Sequence, residues 1–238
     1  MSGGPSVPSM THLRVLSSMA TKPLLTELLV AGRLDGMPDA VLASAGGVDV
    51  ANRVRSGEAA DFVVLAAPAI DGLVGDGLLD GDTVTPLVVS SVVVAVRSGA
   101  ARPDIGTVDA LRSALGGGGR IGYSTGPSGD GLLALLGQWG MRHELEDRLV
   151  RAQPGTPVGQ LIADGLVDLG MQQRSELQDA PGVTVLGPMP AGAEIDTVFT
   201  GAVLRSSSRP DDARRAIGIL GGDRAATIAR RYGFSVPR

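Results

Sequence analysis

The run from Val84 to Val96 is thirteen residues long and nearly all Val, Ser, Leu, Thr or Ala. At about 3.3 Å per residue, a strand of that length can leave one sheet and enter another. A second long β run, Thr197 to Leu204, lies towards the other end of the chain. The two runs bracket a middle segment. That arrangement predicts one lobe built from both ends of the chain, residues 11–88 with 197–238, and a second lobe, residues 89–196, inserted between them. Residues 1–10 are expected to be a flexible N-terminal segment. Elsewhere, apolar β-type runs alternate with helical patterns, which predicts an α/β fold with mostly parallel sheets. At 238 residues and 43% hydrophobic content, the chain suffices for one large domain or two small ones.

Leu13 to Leu16 reads as a strand. A hydroxyl-rich turn of Ser17, Ser18 and Thr21 follows, then a helix that starts at Lys22-Pro23. Thr21 suits an N-cap and Pro23 a first helical turn. Val41 to Ala45 is a second strand, turned by Gly46-Gly47 into a helix from Val48 to Ser56. Asp61 to Ala66 is a buried strand before a helix from Pro68 to Val74. Thr107 caps a helix ending at Leu115, and Arg120 to Tyr123 is a strand. Ser124 to Gly131 reads as a Gly/Ser loop, with helices expected over Leu132–Met141 and Arg142–Leu149. A short helix over Pro157–Asp164 precedes strands at Leu169–Met171 and Val183–Leu186. Helices over Pro210–Leu220 and Arg224–Tyr232 close the chain.

Ligands of such lobes bind beyond the carboxyl ends of strands, where helix N-termini present free N–H groups. Four strand-to-helix loops therefore matter: Ser17–Lys22, Ser44–Val48, Ser124–Gly131 and Gln153–Pro157. Lys22 is the only lysine in the chain, and it stands where the helix dipole disfavours a cation. The STGPSGDG loop offers the hydroxyls of Ser124, Thr125 and Ser128, with glycines that permit close backbone approach. It is neither a P-loop nor a dinucleotide fingerprint. Gln172, Gln173 and Arg174 directly follow an apolar strand. Amides and a guanidinium fork suit carboxylate recognition, although a solvated loop would carry the same residues.

Composition closes several other routes. Net charge is −4, with three Phe, two Tyr and one Trp, which gives nucleic acid neither a basic face nor aromatic platforms. With no Cys and only His12 and His143, thiolate and multi-His metal centres are excluded, and neither a metal nor an organic cofactor is expected. The longest apolar run is too short to span a bilayer. MSGGPSVPSM has neither a basic n-region nor an apolar h-region. As written, the chain is expected to be cytoplasmic, or periplasmic or extracellular if a signal peptide has been cleaved from it. No G-x-S-x-G elbow exists. Tyr123, Asp130, Glu176 and Lys22 remain as acid–base groups.

From about Leu13 to Pro237 the chain resembles the molybdate-binding, type 2 periplasmic-binding-protein family. The segments that carry the resemblance are LRVLSSMATKPL, VRSGEAADFVVLAAP, VVVAVRSGAARPDIGTVDALRSAL and TVFTGAVLRSSSRPDDARRAIGIL, followed by RRYGF. The resemblance implies two α/β lobes joined by two crossover hinge strands and closing on a small anion, held by hydroxyls and backbone N–H groups. By position, the site would use Ser17 and Ser18, Ser44 to Gly47, Ser128, the Gly155-Thr156 turn and Gln173. The family's serine in the second loop falls on glycine here, and its tyrosine falls on Gln173. QQRSEL and VLGPMP resemble a divergent branch that aconitate isomerase also resembles. That branch implies a cofactor-free proton shift on a small polycarboxylate, with Lys22, Ser18, Ser128 and Gln173 as carboxylate clamps and no base identified. The expected function is binding of a small oxyanion or carboxylate, with an ABC permease as partner if the chain is exported. The alternative is a cytosolic isomerase of a small polycarboxylate.

Overall fold

The computed structural model describes residues 12–153 and 155–237; the segment 1–10 expected to be flexible lies outside them. The chain opens with β1 (Leu13–Ser18), α1 (Lys22–Ala31), β2 (Ala40–Ala45), α2 (Gly47–Arg55), β3 (Phe62–Ala66) and α3 (Ala67–Gly75). β1 lies between β2 and β3 and runs parallel to both. The long strand β4 (Thr85–Arg97) follows. After it come α4 (Val108–Gly116), β5 (Ile121–Tyr123), α5 (Pro127–Gln138), the single turn α6 (Arg142–Leu145), β6 (Leu149–Arg151), α7 (Val158–Ala163), β7 (Leu169–Gln173), the single turn α8 (Arg174–Leu177) and β8 (Val183–Pro188). The return strand β9 (Asp196–Val203), α9 (Pro210–Leu220), α10 (Asp223–Arg231) and β10 (Phe234–Ser235) complete it.

β4 changes partners along its length. Thr85 to Ser91 pair antiparallel with β9, whereas Val92 to Ala95 pair with β7 and Val93 to Arg97 with β8. The strands run in the order β2-β1-β3-β9-β4-β7-β5-β6. The half before β4 and the half after it each carry a parallel trio, β2-β1-β3 and β7-β5-β6.

Both faces of each half are covered, and side-chain alternation divides the residues between them. Phe62, Val64 and Ala66 of β3 join a cluster with α1, α9 and α10, while Val63 and Leu65 join one with α2 and α3. In β4, Val92, Val94 and Val96 face the cluster of α4 and α5, while Val93 and Ala95 face that of α7. Two-sided burial explains why this strand reads as an unbroken apolar run. Fully burying each Val is worth about 1.5–3 kcal/mol. At the periphery, Glu27 of α1 accepts hydrogen bonds from Tyr232 Oη, at 2.7 Å, and from Arg231, which ties the first helix to the last.

Several short elements differ from the sequence expectation. β1 extends through Ser17 and Ser18, so these are strand residues. α5 begins at Pro127, five residues before the expected Leu132. Gly126, at φ 100°, supplies the left-handed turn that lets Pro127 open the helix. The expected charged helix over 142–149 is one α turn, one 3-10 turn and then β6, which pairs with β5 from Ile121↔Leu149 to Tyr123↔Arg151.

An aspartate clamps the amino ends of the strands in each half. Asp61, 7% exposed, accepts hydrogen bonds from Arg14 N at 2.8 Å and Ser207 Oγ at 2.7 Å. Asp168 accepts one from Arg120 N at 2.8 Å in the same relation to β5 and β7. Asp61→Ala removes the acceptor of a backbone N–H, so it should cost about 1–3 kcal/mol. Urea unfolding checks this, and an unchanged midpoint would remove Asp61 from the clamp.

Candidate functional site

The carboxyl ends of the parallel strands carry the residues singled out in the sequence. In the first half, Ser17 is fully buried and its hydroxyl meets Ser44 Oγ at 2.8 Å. Register explains the pair, because Ser17 stands opposite Ser44 in β1 and β2. Ser17 Oγ also donates to the Ser18 carbonyl. Ser18 Oγ lies 3.4 Å from Thr21 Oγ1, and Thr21 donates to the Ser18 carbonyl at 3.2 Å. The hydroxyls therefore hold the β1–α1 turn in shape, and Thr21 makes no side-chain cap to the helix.

Lys22 is exposed as the first residue of α1, whose first turn contains no acidic residue. By contrast, α2 has Asp49 and α5 has Asp130 in the first turn. Of these three helix N-termini, that of α1 thus has the most positive surroundings. Gly47 opens α2, and a β-carbon built there would meet nothing within 4 Å. A side chain at this position would therefore stand in open space.

In the second half, Ser124 and Ser128 are both buried, with their hydroxyls 2.7 Å apart. A β-carbon on Gly129 would overlap the Ser124 carbonyl oxygen. The close approach this glycine permits is thus to its own chain, and it fixes the first turn of α5 against the end of β5. Thr156 is half-buried, and its N–H donates to Gln153 O at 2.9 Å across the turn that contains Gly155 at φ 82°. An open cavity of about 350 Å³ lies beside this turn, lined by Thr125, Arg151, Ala152 and Gln153. Arg151 was not singled out by sequence, because it falls two residues beyond the helix expected over Arg142–Leu149, where no strand was expected.

Gln172 and Gln173 are both buried, and strand alternation gives them opposite tasks. Gly170 and Gln172 face α7. A β-carbon on Gly170 would overlap Ile162, and Gln172 Oε1 accepts the Val158 N–H at 2.8 Å. That assigns the other end of the amide to Glu176, with which Gln172 is hydrogen-bonded. Gln173 follows Met171 onto the α5 face. It is 3% exposed, yet its amide has no hydrogen-bond partner among the described residues. The buried side-chain atoms left without a partner among the described residues are Arg148 Nη1 and Thr197 Oγ1, so the Gln173 amide keeps contact with solvent and stands as an open donor and acceptor.

Glu176 lies half-buried in α8. Burial pushes its carboxyl up to about 7 from 4.5, against the opposing pull of the Gln172 hydrogen bond. The other sequence candidates are placed elsewhere. Tyr123 packs half-buried against the α5 cluster. Arg174 has its Cγ against Gly233. Asp130 is exposed on the first turn of α5. His12 and His143 are exposed beside Asp39 and Glu146. Among the described residues, no group of three His, Cys, Asp or Glu could hold a metal ion.

The two halves meet at this site. The turn Met19–Thr21 packs against α8, and Ser175 Oγ lies 3.4 Å from Ser90 Oγ at the crossover in β4. The β1–α1 turn of one half thus stands against the β7–α8 turn of the other.

Residues 13–235 match the family model described as bacterial extracellular solute-binding protein. Aconitate isomerase from Pseudomonas sp is 34% identical over 188 residues, covering 78% of this chain and 71% of that protein. Among solved structures, the periplasmic molybdate-binding protein of Azotobacter vinelandii superposes with a TM-score of 0.78 at 20% identity, over 95% of this chain and 100% of that one. The sulfate-binding protein of Mycobacterium tuberculosis superposes with a TM-score of 0.74 at 17% identity, over 94% of this chain and 86% of that one. These structural likenesses establish the two-lobed periplasmic-binding-protein fold. No helix among the described residues is long and apolar enough to cross a membrane.

Because the Glu176 carboxyl is raised to about 7, the folded state holds its proton more tightly than the unfolded chain does. Its cost is absent below about pH 4.5, grows as pH rises to 7 and is complete above that. Glu176→Gln should therefore gain stability over the parent at pH 8, on the order of 1–3 kcal/mol after discounting for contact with water, and gain none at pH 4. Denaturant titrations at the two pH values test this. A difference independent of pH would show that Glu176 titrates normally.

Proposed function

The chain belongs to the family of bacterial extracellular solute-binding proteins, and we propose that it holds a small anion, an oxyanion or a carboxylate, between two lobes. The lobes are residues 11–88 with 197–238, and residues 89–196. The observation that carries this reading is Gln173 at the carboxyl end of β7, 3% exposed as a residue and with no side-chain hydrogen bond among the described residues, beside a turn packed against the β1–α1 turn of the other half. Ser18, Lys22, Gly47, Ser128, Thr156 and Gln173 form the contact set. The Ser17–Ser44 pair holds the first turn rigid behind it. Exported, such a protein works outside the cytoplasmic membrane and hands its anion to an ABC permease.

A thermal-shift panel of molybdate, sulfate, phosphate, citrate and cis- and trans-aconitate tests binding. A ligand at a hundred times its Kd stabilises the native state by about 2.7 kcal/mol. Gln173→Ala should weaken the best ligand by about 1.5–3 kcal/mol, the scale of a hydrogen bond to a charged group. No melting shift with any of these anions would sink the reading, and unchanged affinity in the variant would remove Gln173 from the contact set.

A second reading, catalysis, is favoured by Glu176 and by the likeness to aconitate isomerase. A carboxyl that titrates near neutrality can both accept and return a proton. Isomerisation takes a proton from the methylene carbon of the tricarboxylate. The double bond shifts through an allylic carbanion, and a proton returns to the former vinylic carbon. Glu176 is the group proposed to carry that proton, oriented by Gln172. NMR should show interconversion of cis- and trans-aconitate, slowed by Glu176→Gln about 10²- to 10⁴-fold. If the parent does not exceed the uncatalysed rate, catalysis falls and anion binding stands.

A further inference from the structure

Arg151 is the last residue of β6, in register with Tyr123 of β5. Leu149 packs on the α5 side of the sheet and Val150 on the α7 side, so alternation places Arg151 on the α5 face, with Tyr123 and Gln173. It is exposed and has no ion pair or hydrogen bond among the described residues. The open cavity of about 350 Å³ that it lines with Thr125 adjoins the turn of Gly155 and Thr156. That volume falls in the range of small-molecule sites, about 300–1,000 Å³. An inorganic oxyanion fills only a few water volumes, at roughly 30 Å³ each.

Spacing sharpens the argument. β5 lies between β7 and β6. Neighbouring strands are about 4.8 Å apart, so the carboxyl ends of β7, with Gln173, and β6, with Arg151, are about 10 Å apart. Two carboxylates separated by a carbon chain can occupy both ends at once, each with its own set of donors. The guanidinium fork matches a carboxylate through two parallel hydrogen bonds, and the Thr125 hydroxyl adds a donor.

We infer that Arg151 and Thr125 form a second carboxylate subsite, so that the anion held is an organic polycarboxylate and not an inorganic oxyanion. This rests on the reading of the loop cluster as an anion site. Isothermal titration of the full chain with citrate, tricarballylate, sulfate and molybdate tests it. A tricarboxylate should bind about tenfold more tightly than sulfate or molybdate, and Arg151→Gln should weaken it at least about tenfold with an unchanged melting temperature. Thr125→Val should weaken it in the same direction. A tricarboxylate that binds equally well to Arg151→Gln would overturn the subsite alone. Tighter binding of sulfate or molybdate than of either tricarboxylate would also overturn it while leaving the anion site in place. If none of the four anions binds the parent chain, the anion reading fails and the subsite fails with it.

Discussion

The architecture depends on one strand that is buried on both faces and shared by two half-sheets. Because β4 pairs with β9 up to Ser91 and with β7 and β8 from Val92 onward, it is the strand that joins the two parallel trios into one sheet path. Its alternating valines seat the α4–α5 cluster and the α7 cluster at once. A one-residue slip would exchange those two sets of side chains. Register at β4 is therefore what brings Ser90 beside Ser175 and the turn Met19–Thr21 against α8. The site is a consequence of that register, since its two sides belong to different parallel trios.

Within the site, the polar groups divide by whether the protein already satisfies them. Ser17 with Ser44, and Ser124 with Ser128, are paired across or within strand ends. Each hydroxyl already has a protein partner, and the pairs hold the turns in shape. Gln173 differs, with the same burial and no partner. Its amide keeps contact with solvent, so a ligand there exchanges bonds to water for bonds to itself. Positive potential comes from the first turn of α1 with Lys22, where no acidic side chain offsets it.

Sequence revealed the long elements and most of the strand-to-helix connections between them, because those signals are physical extremes. A thirteen-residue apolar strand and helices such as α9, with Ala213, Ala216, Ile217 and Leu220 on one face, have unmistakable periods. β6 was hidden because three residues give no period, and the charged residues before it mimic a helix face. The start of α5 was hidden because glycine and serine are turn residues by propensity. Only the tertiary structure reveals that Gly129 gives room to the Ser124 carbonyl. Missing β6 also meant missing Arg151, since a residue in an unassigned connection between two expected helices cannot be placed at a strand's carboxyl end.

The paired glutamines show how far local chemistry underdetermines a role. Gln172 and Gln173 are identical side chains, adjacent in sequence and equally buried. Yet β7 sends one toward α7 and the other toward α5. Gln172 is held by the Val158 N–H and in turn holds Glu176, so it links the first residue of α7 to a carboxyl that titrates near neutrality. Because that carboxyl sits on the turn that packs against Met19–Thr21, its charge state is felt at the junction of the two halves.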